Sequence, residues 1–262
     1  MNMEATPNEI GPTQRFTDRV ANYVAYRPKY PAAVLEFMRA ELNLSSSSLI
    51  ADVGAGTGIL TEMFVRNGNT VFAVEPNEAM RAAAENLLGG FPNFKSVNGT
   101  AEATTLDARS VDFITAAQAF HWFDAAGARR EFARVLKPGG WVALLWNMRR
   151  VDTTAFLREL ERILRAYGTD YADGVAEFPR PEAVEKIFAR GFGTKVFKNE
   201  QVFDYEGLRG RMLSSSYVPL AGHPNHVPMF DALRRAFDEY NTNGTVNIEY
   251  DTVIYYSQLS EP

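Results

Sequence analysis

The run ADVGAGTG at 51–58 constrains this chain more than any other feature, because three glycines alternate directly after a short apolar run and directly before a helical pattern. Without side chains the backbone there can turn sharply, and a ligand can touch it. A strand, a glycine turn and a helix in that order open a strand-helix-strand unit, and the rhythm continues to about residue 147. Five strands are expected there: SLIADVG (48–54), TVFAVEP (70–76), FKSVNGT (94–100), VDFITAAQ (111–118) and WVALLWN (141–147). Each is short and apolar enough to be buried on both faces of a parallel sheet. Ile59, Leu60, Met63 and Phe64 share one face of a helix, as do Ala128, Phe132, Val135 and Leu136, and LKPGG (136–140) stops the second of these.

After residue 150 the pattern changes. Phe156, Leu157, Leu160, Ile163 and Leu164 predict an amphipathic helix, and Val184, Ile187 and Phe188 a shorter one. TKVFKNEQVF (194–203) and VNIEYDTVIYY (246–256) read as an antiparallel strand pair, since Val246, Ile248 and Tyr250 alternate with Asn247, Glu249 and Asp251. Between them lies GLRGRMLSSSYVPLAGHPNH, then a helical pattern through Phe230, Leu233, Phe237 and Tyr240.

The second strand ends in Glu75, 21 residues after Gly54, where a carboxylate can accept hydrogen bonds from both hydroxyls of an adenosine ribose. Nicotinamide dinucleotide enzymes share that layout, but their loop is usually G-x-G-x-x-G with a pyrophosphate at the helix N-terminus. Here Gly54, Gly56 and Gly58 are spaced G-x-G-x-G around Ala55 and Thr57. Asp52 would repel a pyrophosphate, whereas it suits the cationic amino and sulfonium end of S-adenosylmethionine. Two alternatives stay open beside a methyltransferase: an NAD(P)-dependent oxidoreductase on a similar sheet, and a non-catalytic S-adenosylmethionine binder.

Several classes are disfavoured by composition. The chain has 262 residues and no cysteine, which removes disulfides, thiolate nucleophiles and cysteine-ligated metals. The net charge of -5 opposes binding to nucleic acid. No apolar run approaches the roughly 18 residues of a membrane helix, and MNMEATPNEIGP lacks a secretory pattern, so no membrane partner and a cytoplasmic location are expected. His223 and His226, three apart in AGHPNHVP, invite a metal reading that is rejected: Pro224 and Pro228 disfavour a helix and no nearby carboxylate completes a ligand set.

With these motifs in view, residues 48–147 resemble the class I S-adenosylmethionine-dependent methyltransferase family, in its methyltransferase type 11 subgroup. DVGAGTG is similar to the family's first motif and AVEPNEAM (73–80) to its second, NGTAEATTL (98–106) to the adenine-edge segment, VDFITAAQAFHWFD (111–124) to the fourth strand with its active-site end, and LKPGG to the turn before strand five. FTDRVANYVAYRPKYP (16–31) and AQAFHWF (117–123) resemble the lid and strand end of small-molecule methyltransferases related to trans-aconitate methyltransferases. The resemblance implies a Rossmann-like α/β fold: a seven-stranded, mostly parallel sheet with helices on both faces and the last strand antiparallel. It implies a single domain over 1–262, with an N-terminal lid (1–30), a cofactor-binding core (48–147), substrate-side insertions (151–192 and 204–245) and C-terminal strands (194–203 and 246–256).

It further implies S-adenosylmethionine as cofactor and S-adenosylhomocysteine as product. Their binding residues would be Arg27, Asp52, Gly54, Ala55, Gly56, Gly58, Glu75, Pro76, Met80, Ala101, Glu102 and Gln118, with no metal. Glu75 takes the ribose place, Met80 and the Ala101–Glu102 pair the adenine, and Arg27 the methionine carboxylate. His121 stands as a candidate general base, or else as a packing residue of the pocket wall, and Tyr23 and Tyr26 as residues closing over the methyl group. Phe16, Val20 and Val24 fall at helical spacing, so the lid segment also reads as an ordinary docked helix. A small-molecule acceptor is expected, methylated at oxygen (carboxylate or hydroxyl) or nitrogen by in-line displacement, with a partly apolar mouth suggested by Tyr23, Tyr26, Phe120, Trp122 and Tyr217. A monomer and a homodimer are both compatible with the sequence.

Overall fold

The computed structural model describes residues 19–169, 171, 181–188 and 191–259. Phe16, the rest of the lid before Arg19 and the Pro-punctuated stretch at 172–180 therefore lie outside the described residues. Seven strands form one sheet in the order β3-β2-β1-β4-β5-β7-β6. Its parallel half consists of β1 (Leu49–Val53), β2 (Thr70–Val74), β3 (Phe94–Val97), β4 (Val111–Ala117) and β5 (Leu136–Arg149). β6 (Gly193–Phe203) and β7 (Val246–Gln258) complete it, β7 running antiparallel to both β5 and β6. The expected topology is thus observed, including the antiparallel last strand.

Helices cover both faces because the parallel strands are apolar on both. On one side α2 (Ala32–Glu41), α3 (Ile59–Arg66) and α4 (Glu78–Leu88) pack Met38, Phe64 and Leu88 against Ile50, Val71 and Leu145. On the other, α5 (Ala125–Val135) and α7 (Pro181–Phe188) pack Phe132 and Ile187 against Val53, Ile114 and Leu144. Successive strand residues point to opposite faces, so Ile50 and Ala51 fall in different clusters.

A third cluster is separate from these two. α6 (Ala155–Tyr167), α8 (Tyr205–Leu213) and α9 (His226–Tyr240) bury Leu160, Met212 and Leu233 with Val246, Ile248 and Tyr250 of β7. These elements come from the segments expected as substrate-side insertions and the strand after them, and together they make a cap with a core of its own. The short α1 (Val20–Tyr26) lies against α8, where a Cβ at Gly210 would collide with the Tyr26 ring.

Two local expectations are corrected, and one helix is added to them. LKPGG does end α5, but it forms the bulged start of β5 rather than a separate turn: Leu136 pairs with Val111, and the register then jumps to Trp141 opposite Phe113. Pro138 cannot donate to the ladder and Gly139 takes φ +78°, so the extra residues loop outward. The prolines of AGHPNHVP do not prevent a helix, because α9 begins at His226 and Pro228 sits in its first turn, where the missing N–H has no partner to lose. The segment GLRGRMLSSS carries α8, which its weak periodicity hid.

Candidate functional site

Open parallel sheets bind ligands outside the carboxyl ends of their strands where the strand order reverses. Here that point lies between β1 and β4, and the turn after β1 is held open there by backbone bonds. The N–H groups of Gly54 and Ala55 donate to Val74 O at 2.8 and 3.1 Å. Gly54 and Gly56 have φ of +68° and +57°, a region that favours glycine. A Cβ on Gly54 would also lie 2.5 Å from Ala119 Cβ, whereas at Gly56 it would meet nothing within 4 Å. Gly56 therefore faces open space. Gly58, at the N-cap of α3, would strike Leu88 and serves the packing of α4.

Two carboxylates border this turn. Glu75 accepts from Gly56 N and Asn77 N, both at 2.9 Å. Burial raises it above the ordinary range for a glutamate, and those two donors pull it back. Asp52 is 1% exposed and accepts from Thr61 Oγ1 at 2.6 Å and Thr115 Oγ1 at 2.8 Å. Burial pushes it up to about 6 in spite of both hydroxyls.

Two adjoining cavities open onto the turn. The larger, about 280 Å³, runs from Gly56 and Glu75 past Pro76 and Met80 to Ala101 and Glu102, with Trp122 and Phe123 on its far wall. The smaller, about 40 Å³, is bounded by Arg27, Asp52 and Ala55. Tyr23, Gly54, Gly56 and Gln118 border both. Gln118 holds φ +56°, unusual for a non-glycine residue, and donates through Nε2 to Asn147 O at 3.1 Å. Backbone strain of this kind clusters at ligand sites.

Of the residues expected at the site, all but Gly58, Tyr26 and His121 border one of the two cavities. Tyr26 packs into the cap against Gly210. His121 sits in a short 3-10 turn, Phe120–Trp122, its ring 4.6 Å from that of Trp122 and 5.1 Å from that of Trp146. Burial lowers its value to about 4, so the imidazole is neutral at neutral pH. Phe120, expected at the mouth, is 2% exposed and stacks edge-on against Trp146 in the core, while Trp122 is 40% exposed at the rim. Among the described residues no three His, Asp or Glu side chains converge as a metal site, and no helix is long and apolar enough to cross a membrane.

Sequence reasoning missed Thr61 and Thr115, which hold Asp52, and Asn77, which donates to Glu75 and caps α4 through Met80 N at 3.0 Å. The signal for Asn77 was present: an Asn three residues before Met80 opens a helix. Thr61 and Thr115 are brought together only by the fold. Tyr30, on the smaller cavity, was missed also; burial raises its hydroxyl well above the usual phenol range.

The charge pattern suits one kind of ligand end. Arg27 and Asp52 share the smaller cavity, opposite in sign, as an α-amino acid group requires. The Arg27 guanidinium donates to Ser214 O at 2.8 Å and leaves its Nε buried without a partner. The larger cavity beside it offers the Glu75 carboxylate, with acceptor capacity beyond its two backbone donors. These residues fit S-adenosylmethionine.

Comparison with known proteins agrees. A family described as a methyltransferase domain matches residues 51–144. An uncharacterized methyltransferase-like protein of Schizosaccharomyces pombe is 36% identical over 250 residues, covering 93% of this chain and 94% of its own. An uncharacterized methyltransferase of Mycobacterium tuberculosis is 37% identical over 166 residues, 63% of this chain and 65% of its own. Among solved structures, a protein described as a type II methyltransferase, from Anaeromyxobacter dehalogenans, superposes with TM-score 0.66 at 23% identity, covering 90% of this chain and 99% of that one. An S-adenosylmethionine-dependent methyltransferase of Geobacter sulfurreducens, solved with S-adenosylhomocysteine, gives 0.51 at 16%, covering 94% and 98%.

Proposed function

Because the chain belongs to the class I S-adenosylmethionine-dependent methyltransferase family, we propose that it transfers a methyl group to a small-molecule acceptor, at a carboxylate or hydroxyl oxygen or at nitrogen. The observation that carries this reading is the pairing of the Asp52 and Arg27 charges in one cavity with Glu75 in the next. Glu75 would accept from the ribose hydroxyls, and Met80, Ala101 and Glu102 would bound the adenine. Asp52 and Arg27 would hold the amino and carboxylate groups of the amino-acid end.

When bound, S-adenosylmethionine supplies a methyl carbon made electrophilic by its sulfonium sulfur. The protein's share is to bind, orient and exclude water. Tyr23 borders both cavities, and Trp122 and Phe123 wall the larger one, so these rings shield the space in which an acceptor would meet the methyl group. A carboxylate acceptor needs no base, whereas a hydroxyl or amine would need one. A buried imidazole with a value near 4 is a weak base, which favours a positioning role for His121.

Isothermal titration with S-adenosylmethionine and with NADH, on the parent protein and on Glu75→Ala, tests the reading. Binding of S-adenosylmethionine alone, weakened by the substitution, is expected. Binding of NADH alone would overturn it.

A further inference from the structure

Residues 213–218, LSSSYV, run on from the last residue of α8 and are ringed by arginines. Arg19 donates to the carbonyls of Leu213, Ser215 and Val218. Arg27 donates to Ser214 O, and Arg211 to Ser215 Oγ at 2.9 Å and to Tyr250 OH at 3.1 Å. Arg149 donates to Tyr171 OH, whose ring lies 4.9 Å from that of Tyr217. Three chain regions far apart in sequence, α1, the end of β5 and α8, thus bring guanidinium groups to one place.

Two of these cations lack a counter-charge among the described residues. Arg149 pairs with Glu161. Among the described residues neither Arg27 nor Arg211 has an ion-pair partner, and both bond only to neutral acceptors. Arg211 is 6% exposed, and Arg149 Nη1 as well as Arg27 Nε is buried without a hydrogen bond. A desolvated cation with no counter-charge opposes folding, and neighbouring ones repel. Burial would raise the Tyr217 hydroxyl, yet Arg211, Arg149, a hydrogen bond with Ser215 and Arg27 hold it below the usual phenol range. Such a cluster is costly to keep unless an anion enters it.

We propose that this cluster binds a carboxylate of the methyl acceptor, with Arg211 and the Tyr217 hydroxyl as its main contacts and Arg149 beside them, a reading that rests on the methyltransferase assignment above. Arg27 borders the smaller cavity and also touches Ser214, so the cluster adjoins the place where the amino-acid end of the cofactor would lie. With the cofactor carboxylate on Arg27 and Glu161 on Arg149, Arg211 is still left without a counter-charge among the described residues. One carboxylate neutralises it. Arg211 Nε and Nη1 already bond Tyr250, Ser214 and Ser215, and Nη2 has no hydrogen bond among the described residues, so one guanidinium donor and a phenol hydroxyl are offered to a planar, two-oxygen group.

The test uses the full chain saturated with S-adenosylhomocysteine. It is titrated with sodium acetate, against sodium chloride at matched ionic strength and against acetamide, the neutral isostere. Acetate is expected to raise Tm saturably while chloride and acetamide do not. Arg211→Gln should weaken acetate binding about tenfold or more while leaving affinity for S-adenosylhomocysteine within about twofold. Tyr217→Phe, which keeps the ring against Tyr171, should show a smaller loss in the same direction, and it carries the test if Arg211→Gln does not fold. No saturable acetate effect beyond that of chloride, or undiminished acetate binding in the variants that fold, would overturn the proposal. Failure of the parent protein to bind S-adenosylhomocysteine would instead overturn the methyltransferase reading beneath it.

Discussion

Asp52 offers the sharpest test of the electrostatic argument, because its protonation is set by burial and its ionised form is what a cationic ligand needs. In the free protein it titrates at about 6, against roughly 3.9 for an unfolded aspartate. A carboxyl raised on folding contributes stability that is present below the unfolded value and lost as pH rises through the folded one. At pH 7.5 the ionised group therefore opposes the fold by on the order of 3 kcal/mol. Its binding role has the opposite sign. If the cofactor's amino group binds the ionised form, affinity follows the ionised fraction, nearly complete at pH 7.5 and about one tenth at pH 5. The dissociation constant for S-adenosylmethionine should thus weaken about tenfold over that range, about 1.4 kcal/mol. Asp52→Asn keeps the shape, and the Thr61 and Thr115 hydroxyls can rotate to pair with an amide. The variant should melt no lower than the parent at pH 7.5, bind about tenfold more weakly there and lose the parent's extra pH slope. Glu75, also raised by burial, titrates in the same direction, so the quantity to read is the difference between the two calorimetric profiles. Equal slopes in parent and variant would refute the reasoning.

The two loop glycines should separate stability from binding. Gly54→Ala, which brings a Cβ 2.5 Å from Ala119 at positive φ, should cost about 1–3 kcal/mol in urea melts. Gly56→Ala meets nothing within 4 Å, so it should cost about 1 kcal/mol of strain yet weaken cofactor binding disproportionately, since the new methyl points into open space beside the cavity. For His121→Ala, a kcat loss below about tenfold is expected, with no limb near pH 4, where burial puts its imidazole, removed from the profile; a loss of about a hundredfold or more together with a vanished limb would assign it the base role. Leu160→Ala, fully buried in α6, should cost about 2–5 kcal/mol by chemical denaturation.

The cofactor half of the site was legible because its chemistry is local. Gly54, Gly56 and Glu75 sit at strand ends, and a strand end fixes a side chain's place to within a residue or two. Strand positions were legible for the same reason: β1, β2 and β4 are short apolar runs closed by turn residues. What was not legible depends on contacts distant in sequence. Thr61 and Thr115 reach Asp52 only because α3 and β4 flank β1. No periodicity marks α8, and it surfaces only when Leu208 and Met212 find the cap core. Phe120 looked like a mouth residue by proximity to the fourth strand's end, but the 3-10 turn rotates it inward against Trp146 and presents Trp122 instead.

The same division bears on how recognition is organised. Asp52 and Glu75 are rooted in the central sheet, whose packing against α2, α3 and α4 is independent of the cap. Arg149 leaves the end of β5, and Arg27 and Arg211 belong to elements that the cap holds in register through Tyr26, Gly210 and Tyr250. Two of the proposed cofactor contacts, Asp52 and Glu75, thus rest on the central sheet, and the cationic cluster, Arg27 included, on a part with a core of its own. A fault in that core, such as a cavity at Leu160, would move the arginines relative to Asp52 before it disturbed Glu75. Weakening the cap should therefore cost acceptor recognition first and touch cofactor binding only at Arg27, which Ser214 ties to the cap while it borders the smaller cavity.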